Sequence, residues 1–459
     1  MRLTRRHFLG TASAALLPFR AAASPQEDEG FRVLTAQKTE IALLHAPAAK
    51  TAALGFGGTV PGPLLRYKKD AEIKVRLLNA LDEPVTFCAE DMRIANAMTG
   101  IGGLTQTPVA PGQSYDYRFT APDAGFYWYR SFVAPRSTAQ LERGLYGPLI
   151  IDEAEPPECD GDLVFILDDW QLDRAGQIAI SPPATDPNGP YILTVSGQPS
   201  PLVKEVGTGA RLRIRLLSLV QSQLMFVTFT GLEVQVIAID GQPCETFAPL
   251  RQTIPIGPGA SFDLLCDLPH EADKPALIAW RTGERNDRPI VFFKTAGAAR
   301  PKLPPVSSLR ANPLLPTGIK LQASHKIDLI VEATPDKSAP KDKPVSLSPG
   351  KHGPLLLAGK PAQTFAPTPL FSVKANTPVT LGLVNKTNVL VQMYVQGHAV
   401  RLLHDLDDGW DPYWRSRVIV PENHTKRVAF LADQPGKWAI ECQSVEPTPE
   451  YLVAWFEVT

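Results

Sequence analysis

Three stretches of this chain follow one plan, and that repetition limits the fold more than any other feature. PLLRYKKDAEIKVRLLN (63–79), PLVKEVGTGARLRIRLLS (201–218) and PLFSVKANTPVTLGLVN (369–385) each open on Pro-Leu, pass through a polar turn, and then alternate apolar and polar residues. Such alternation places one side of a strand in a core and leaves the other outside. A second shared pattern follows each, a turn and another alternating strand: VAPGQSYDYRF (109–119), IPIGPGASFDLLC (254–266) and VIVPENHTKRVAF (418–430). The expected fold is all-β, with three homologous Greek-key β-sandwich domains in tandem, which accounts for the spacing better than one large sheet. The 45 prolines and 33 glycines argue likewise for strands broken by turns, and 459 residues suffice for three ordinary domains.

Breaks in the pattern set the expected boundaries. IDEAEPPECDGD (151–162) is acidic and Pro-rich and ends the first domain, 30–155. The second spans 160–298, ARPKLPPVSSLRANPLLP (299–316) lies in a linker over 299–320, and the third spans 321–459. Within the third, 332–354 has little apolar content and is expected to be an exposed, mobile loop.

The N-terminus, TRRHFLGTASAALLPFRAAAS, sets Arg5 and Arg6 before an apolar run of roughly ten residues, too short to span a bilayer. With Phe8, Leu9 and a small-residue cleavage site at Ala21-Ala22-Ala23, residues 1–23 read as a twin-arginine export signal. An ordinary secretory signal is the alternative; either places the mature chain outside the cytoplasm, the periplasm being the expected site. No later stretch is long and apolar enough to cross a membrane. Lys plus Arg (46) balance Asp plus Glu (47), so no global field draws the protein to nucleic acid. Of the cysteines Cys88, Cys159, Cys244, Cys266 and Cys442, at least one lacks an intramolecular partner, and pairing of Cys244 with Cys266 stays open.

The first and third domains also match near their ends. AGFYWYRSF (124–132) and PGKWAIECQ (435–443) align Gly125 with Gly436, Arg130 with Glu441 and Phe132 with Gln443. Residues two apart on a strand share a face, so Arg130 with Phe132 and Glu441 with Gln443 each aim at one site, and facing domains would bring these four together.

Here the chain resembles the three-domain multicopper oxidases, proteins of the laccase and bilirubin-oxidase kind built from three cupredoxin domains. The resemblance rests on GGTVPGPLLRYKKD (57–70), IANAMTGIGGLTQTPVAPGQSYDYRF (94–119), RGLYGPLIIDE (143–153), IDGQP (239–243), DGWDPYW (408–414) and AWFEV (454–458). What it implies about function is a set of copper sites held by ten histidines and one cysteine in four motifs. Each motif can be placed by its flanks. The first falls on TFCAEDMRI and gives Cys88 and Glu90; the second on WYRSF, giving Arg130 and Phe132. The third falls on VQMYVQGH, giving Val391, Tyr394 and Gln396. The fourth falls on the stretch 441–452, giving Glu441, Cys442, Gln443, Pro447 and the axial position Leu452. All ten histidine positions are substituted and only the cysteine is kept.

A blue-copper site needs two imidazoles beside its thiolate. Val391 and Pro447 donate nothing, so Cys442 is expected to be a small buried hydrophobe. Arg130 is the most telling change, because a guanidinium stays protonated and cannot coordinate a cation. Arg130 is expected to lie between Glu90 and Glu441, a cation built into the chain; the alternative points all three side chains into a wet interdomain channel. Zinc at Cys88, Glu90, Glu441 and Cys442 is disfavoured because the strand aims Cys442 away from Glu441. His398, near the third motif, reads as structural.

No cofactor is expected, copper being the family's. The leading functional reading is a non-catalytic exported protein that keeps the oxidase scaffold for structural or protein-interaction work with periplasmic partners. In this it is similar to the copper-free, twin-arginine-exported proteins of bacterial cell division, which implies support of division or of the envelope under stress. The alternatives are a copper-dependent oxidoreductase, and another enzyme using Glu90, Glu441 or Cys88.

Overall fold

The computed structural model describes residues 27–44, 48–179, 191–271, 274–283, 286–334, 352–404 and 409–459. The export signal, His45, most of the polar loop 332–354 and the acidic residues 405–408 lie outside the described residues. The described residues form six β-sheets in three consecutive pairs, occupying residues 27–152, 161–296 and 325–458. Each pair encloses its own apolar core.

The three sequence repeats are one structural device used three times. In each, a short strand lies in one sheet, and after a turn the longer strand lies in the other: Leu65–Lys68 then Glu72–Asn79, Leu202–Gly207 then Arg211–Ser218, Ser372–Val373 then Thr377–Asn385. The turn needs a left-handed residue, supplied by Asp70, Gly209 and Asn376 with φ of 64°, 69° and 64°. Asp, Gly and Asn tolerate that conformation best, which explains the polar turn in all three copies.

The short strand runs parallel to the last strand of its domain, Tyr146–Asp152, Asp287–Ala296 or Tyr451–Val458. The long strand runs parallel to Phe31–Ile41, Gly161–Gln171 or His325–Ala333 near the start of its domain, and antiparallel to the strand of the second shared pattern, Ser114–Thr120, Ser261–Asp267 or Thr425–Ala432. Each repeat thus stitches both sheets of its sandwich together.

Two further clusters seal the domains to one another. Phe126, Trp128, Tyr146 and Ile150 of the first domain pack on Ile166, Trp170, Leu217 and Leu219 of the second. Cys88, Ile101 and Phe132 of the first pack on Ala439 and Val453 of the third. Between the second and third domains, Gln392 Nε2 donates to the Pro258 carbonyl at 2.6 Å. Asn312, in the segment joining those two domains, donates to Asp123 of the first and Gln242 of the second at 2.8 and 2.9 Å. Cys244 and Cys266 both lie in the second core as free thiols, and no disulfide forms among the described residues.

Candidate functional site

The strand Gly436–Ser444 crosses the boundary between the third core and the interdomain space, so its two faces do different work. Cys442 pairs with Met393 and Leu452 in register, and together with Val391 these pack in the third domain's core. Burial there pushes the Cys442 thiol up, keeping it protonated. Pro447 is exposed and stands apart from them, at a cavity of about 500 Å³ beside Trp170 and Trp280. The four residues that the resemblance equates with blue-copper ligands do not form one group.

The other face of the same sheet looks toward the first domain. Arg417, Tyr394 and Glu441 are directly opposite one another across three neighbouring strands, making a row that period-two alternation aims one way. Facing it, the strand Cys88–Glu90 pairs with Gly125–Arg130, placing Cys88 against Arg130 and Glu90 against Trp128. When the two sheets meet, charges interleave. Arg130 Nε donates to Glu90 Oε1 at 2.6 Å, and Arg130 Nη2 to Glu441 Oε2 at 2.7 Å. Arg417 Nη2 donates to the other oxygen of Glu90 at 2.7 Å, and Tyr451 donates its hydroxyl to Glu441 Oε2 at 2.6 Å.

Exposure decides between the two expectations for Arg130. Arg130 is 1 % exposed, Glu90 0 % and Glu441 2 %, so the trio is a buried ion-pair network and not an open channel, with Arg130 Nη1 and Glu441 Oε1 left without a hydrogen-bond partner among the described residues. Aromatic faces complete the enclosure: the Arg130 guanidinium carbon sits 4.9 Å from the Phe132 ring centre, and that of Arg417 sits 4.1 Å from Tyr394. Gln396 Nε2 approaches the Cys88 sulfur at 3.8 Å, and the Cys88 thiol faces Glu90 Oε1 at 3.5 Å.

Arg130, Phe132 and Glu441 meet at this centre, and Gln443, two residues along the same face from Glu441, donates to Gln221 of the second domain at 2.8 Å. Phe132 joins them from beyond the strand, which ends at Arg130; its backbone N–H is held by Thr86 Oγ1, and its ring stacks on Phe365. His398 is buried among Phe430, Trp438 and Phe456, its Nδ1 against the Gln396 carbonyl.

Sequence reasoning missed Arg417, Asp91, Asp240 and Tyr451. Asp91 Oδ2 accepts from Trp128 Nε1 at 3.2 Å, and Oδ1 lies 3.4 Å from Arg417 Nε. Asp240, from the second domain, accepts the backbone N–H groups of Ser261, Ser416 and Arg417 at 3.0, 2.9 and 3.3 Å. A signal existed for Arg417, a charged residue opening the otherwise apolar strand Arg417–Val420.

Electrostatics follow from burial and neighbours. Burial pushes the Glu90 carboxyl up, but Arg130 and Arg417 outweigh it and hold the group below its usual range. Glu441 stays raised by burial, which Arg130 only partly offsets. Asp91 is raised by burial to about 8 despite Arg417. Its proton is therefore held more tightly folded than unfolded. The stability this contributes is full below pH ~4, the unfolded value, and is lost as pH rises through about 8. Asp91→Asn cannot ionise, so urea unfolding of variant and wild type across pH should show the variant gaining on wild type between those limits. A gap independent of pH would contradict the assignment.

Similarity to known proteins agrees with this architecture. Family profiles described as multicopper oxidase match residues 36–156 and 335–459. The chain belongs to the multicopper oxidase family. It is 24 % identical to the multicopper oxidase MmcO of Mycobacterium tuberculosis, over 96 % of this chain and 94 % of that protein. A copper resistance protein A homolog of Pseudomonas syringae pv. tomato is 33 % identical over 37 % of this chain and 30 % of its own length. Among solved structures, a multi-copper oxidase from Pseudomonas thermotolerans superposes with a TM-score of 0.78 at 27 % identity, covering 93 % of this chain and 98 % of that one. Lac15 from a marine microbial metagenome gives 0.75 at 26 %, covering 93 % and 99 %.

Copper is the metal this multicopper oxidase fold implies, and the residues at hand do not suit it. The motif positions offer no imidazole, and the two carboxylates nearest the interdomain centre are already engaged by guanidinium groups. A further cation there would meet Arg130 and Arg417 in a site with little dielectric screening. Among the described residues, no three His, Cys, Asp or Glu side chains form a metal-binding group.

Proposed function

We propose that this multicopper oxidase family member is copper-free and non-catalytic, and that it serves after twin-arginine export to the periplasm as a structural or protein-binding module. The observation that carries the reading is Arg130, buried and bridging Glu90 and Glu441 at positions that the motif alignment equates with copper ligands. A permanently protonated group there takes up the charge role of a metal without offering a lone pair. The blue-copper positions support the same reading, since Val391, Cys442 and Leu452 form apolar packing in the third core. The scaffold, kept whole while its reactive centre is neutralised, leaves surface contact as its work, and the resemblance to copper-free division proteins points to partners of the cell envelope. Among the described residues, no helix is long and apolar enough to cross a membrane.

The test is elemental analysis and an optical spectrum of the mature protein after incubation with excess copper and removal of unbound ion. Copper near zero and no blue thiolate band are expected. Several coppers per chain with a blue band would overturn the proposal and make the chain a copper-dependent oxidoreductase.

A further inference from the structure

The charged groups at the centre come from all three domains, and each domain supplies something that another lacks. The first gives Glu90 and Arg130, the third gives Arg417 and Glu441, and the second gives Asp240, whose carboxylate holds the backbone of Ser416 and Arg417. Asp240 and Gly241 form the two-residue turn between the strands Glu233–Ile239 and Gln242–Phe247. That turn also touches the first domain: a Cβ on Gly241 would lie 2.4 Å from the Tyr127 ring, so only glycine admits the approach. The ion pairs that join the first and third domains here, Arg130–Glu441 and Arg417–Glu90, each run through a guanidinium, beside the Asp91 backbone N–H that donates to the Tyr394 hydroxyl at 2.9 Å.

Neither arginine is satisfied within its own domain. Arg130 needs Glu441 to engage Nη2, and Arg417 finds Glu90 only across the boundary. Separating the domains would leave Glu90 with one guanidinium and Glu441 with none, in surfaces otherwise lined by Phe132, Trp128 and Tyr394. Removing one partner while the domains stay packed strands the other charge in the closed interface, which costs far more than the pair is worth against apolar packing.

We propose that Arg130 and Arg417 form an interdomain latch, a charge-based fastener that closes the first domain on the third with the second domain's Asp240 turn as its anchor, and so lets the chain complete its fold without metal. This rests on the copper-free reading above. The latch makes domain closure indifferent to chelators and dependent on the pairing of specific charges.

A double-mutant cycle on Glu90→Gln and Arg417→Met tests it, read by urea unfolding and by hydrogen exchange of peptides over 86–94, 391–396 and 436–444. A peptide over 225–239, within the second domain, serves as control. Each single variant should speed exchange at the junction by about tenfold or more while sparing the control, and the double variant should be non-additive by about tenfold in the unfolding equilibrium. Wild type should unfold identically with and without a chelator. Additive effects, or exchange rising equally in the control, would overturn the latch. If Arg417→Met does not fold, Arg417→Gln takes its place in the cycle, since it also removes the charge, and the same non-additivity with Glu90→Gln is required. Stoichiometric copper in the wild type would instead overturn the copper-free reading, whatever the cycle returns.

Discussion

Arg130→Met should destabilise the folded protein by about 3–5 kcal/mol, the range for removing one partner of a buried ion pair. The methionine fills much of the volume, so the loss is electrostatic. Glu90 would keep Arg417, but Glu441 would be left with only the Tyr451 hydroxyl at 2.6 Å. Burial already raises the Glu441 carboxyl, and without Arg130 it would take up a proton to remain inside. Arg130→Lys should recover little, because one ammonium cannot span Glu90 Oε1 and Glu441 Oε2 as the Nε and Nη2 donors do. Adding Glu441→Gln to Arg130→Met should return part of the loss, since the stranded charge is then gone. Urea unfolding followed by tryptophan fluorescence measures all three; a cost below about 1 kcal/mol for Arg130→Met would show the network to be dispensable.

Asp240→Ala is expected to be comparably severe, though it touches no ion pair directly. Three backbone N–H groups, those of Ser261, Ser416 and Arg417, would lose their acceptor in a buried setting. Each buried unsatisfied donor costs about 1–3 kcal/mol, so the sum is about 3 kcal/mol or more. Asp240 also has φ of 47°, in an Asp-Gly turn suited to a two-residue hairpin loop, and alanine adopts that backbone less readily. Asp240→Asn keeps one carbonyl oxygen and the turn preference, and should fall between. Unfolding free energies in the order wild type, Asn, Ala are the check; equal values for Asn and Ala would remove the hydrogen bonds from the explanation.

These expectations depend on contacts of different legibility. The three-domain β architecture could be read from the repeats because alternation and turn chemistry are local. Pro-Leu, a left-handed Asp, Gly or Asn, and a period-two strand lie within one short window, and each window folds into the same two-sheet crossing. The position of Cys442 in the core, and of Glu441 away from it, followed from the same alternation. Arg130 could be paired with its carboxylates by chemistry, since a buried guanidinium demands them.

Arg417, Asp91 and Asp240 could not be placed that way. Arg417 meets Glu90 from 327 residues away, through a cross-strand row whose register sequence does not state. Gln443 shares the face of Glu441, as alternation requires, but its partner Gln221 comes from the second domain, which alternation does not reveal. The sequence by itself determined which faces of which strands carry charge, because that depends on neighbours two residues apart. Only the packing of three domains decided which charges meet, because pairing in a site of low dielectric is set by distances of a few ångströms between segments remote in the chain.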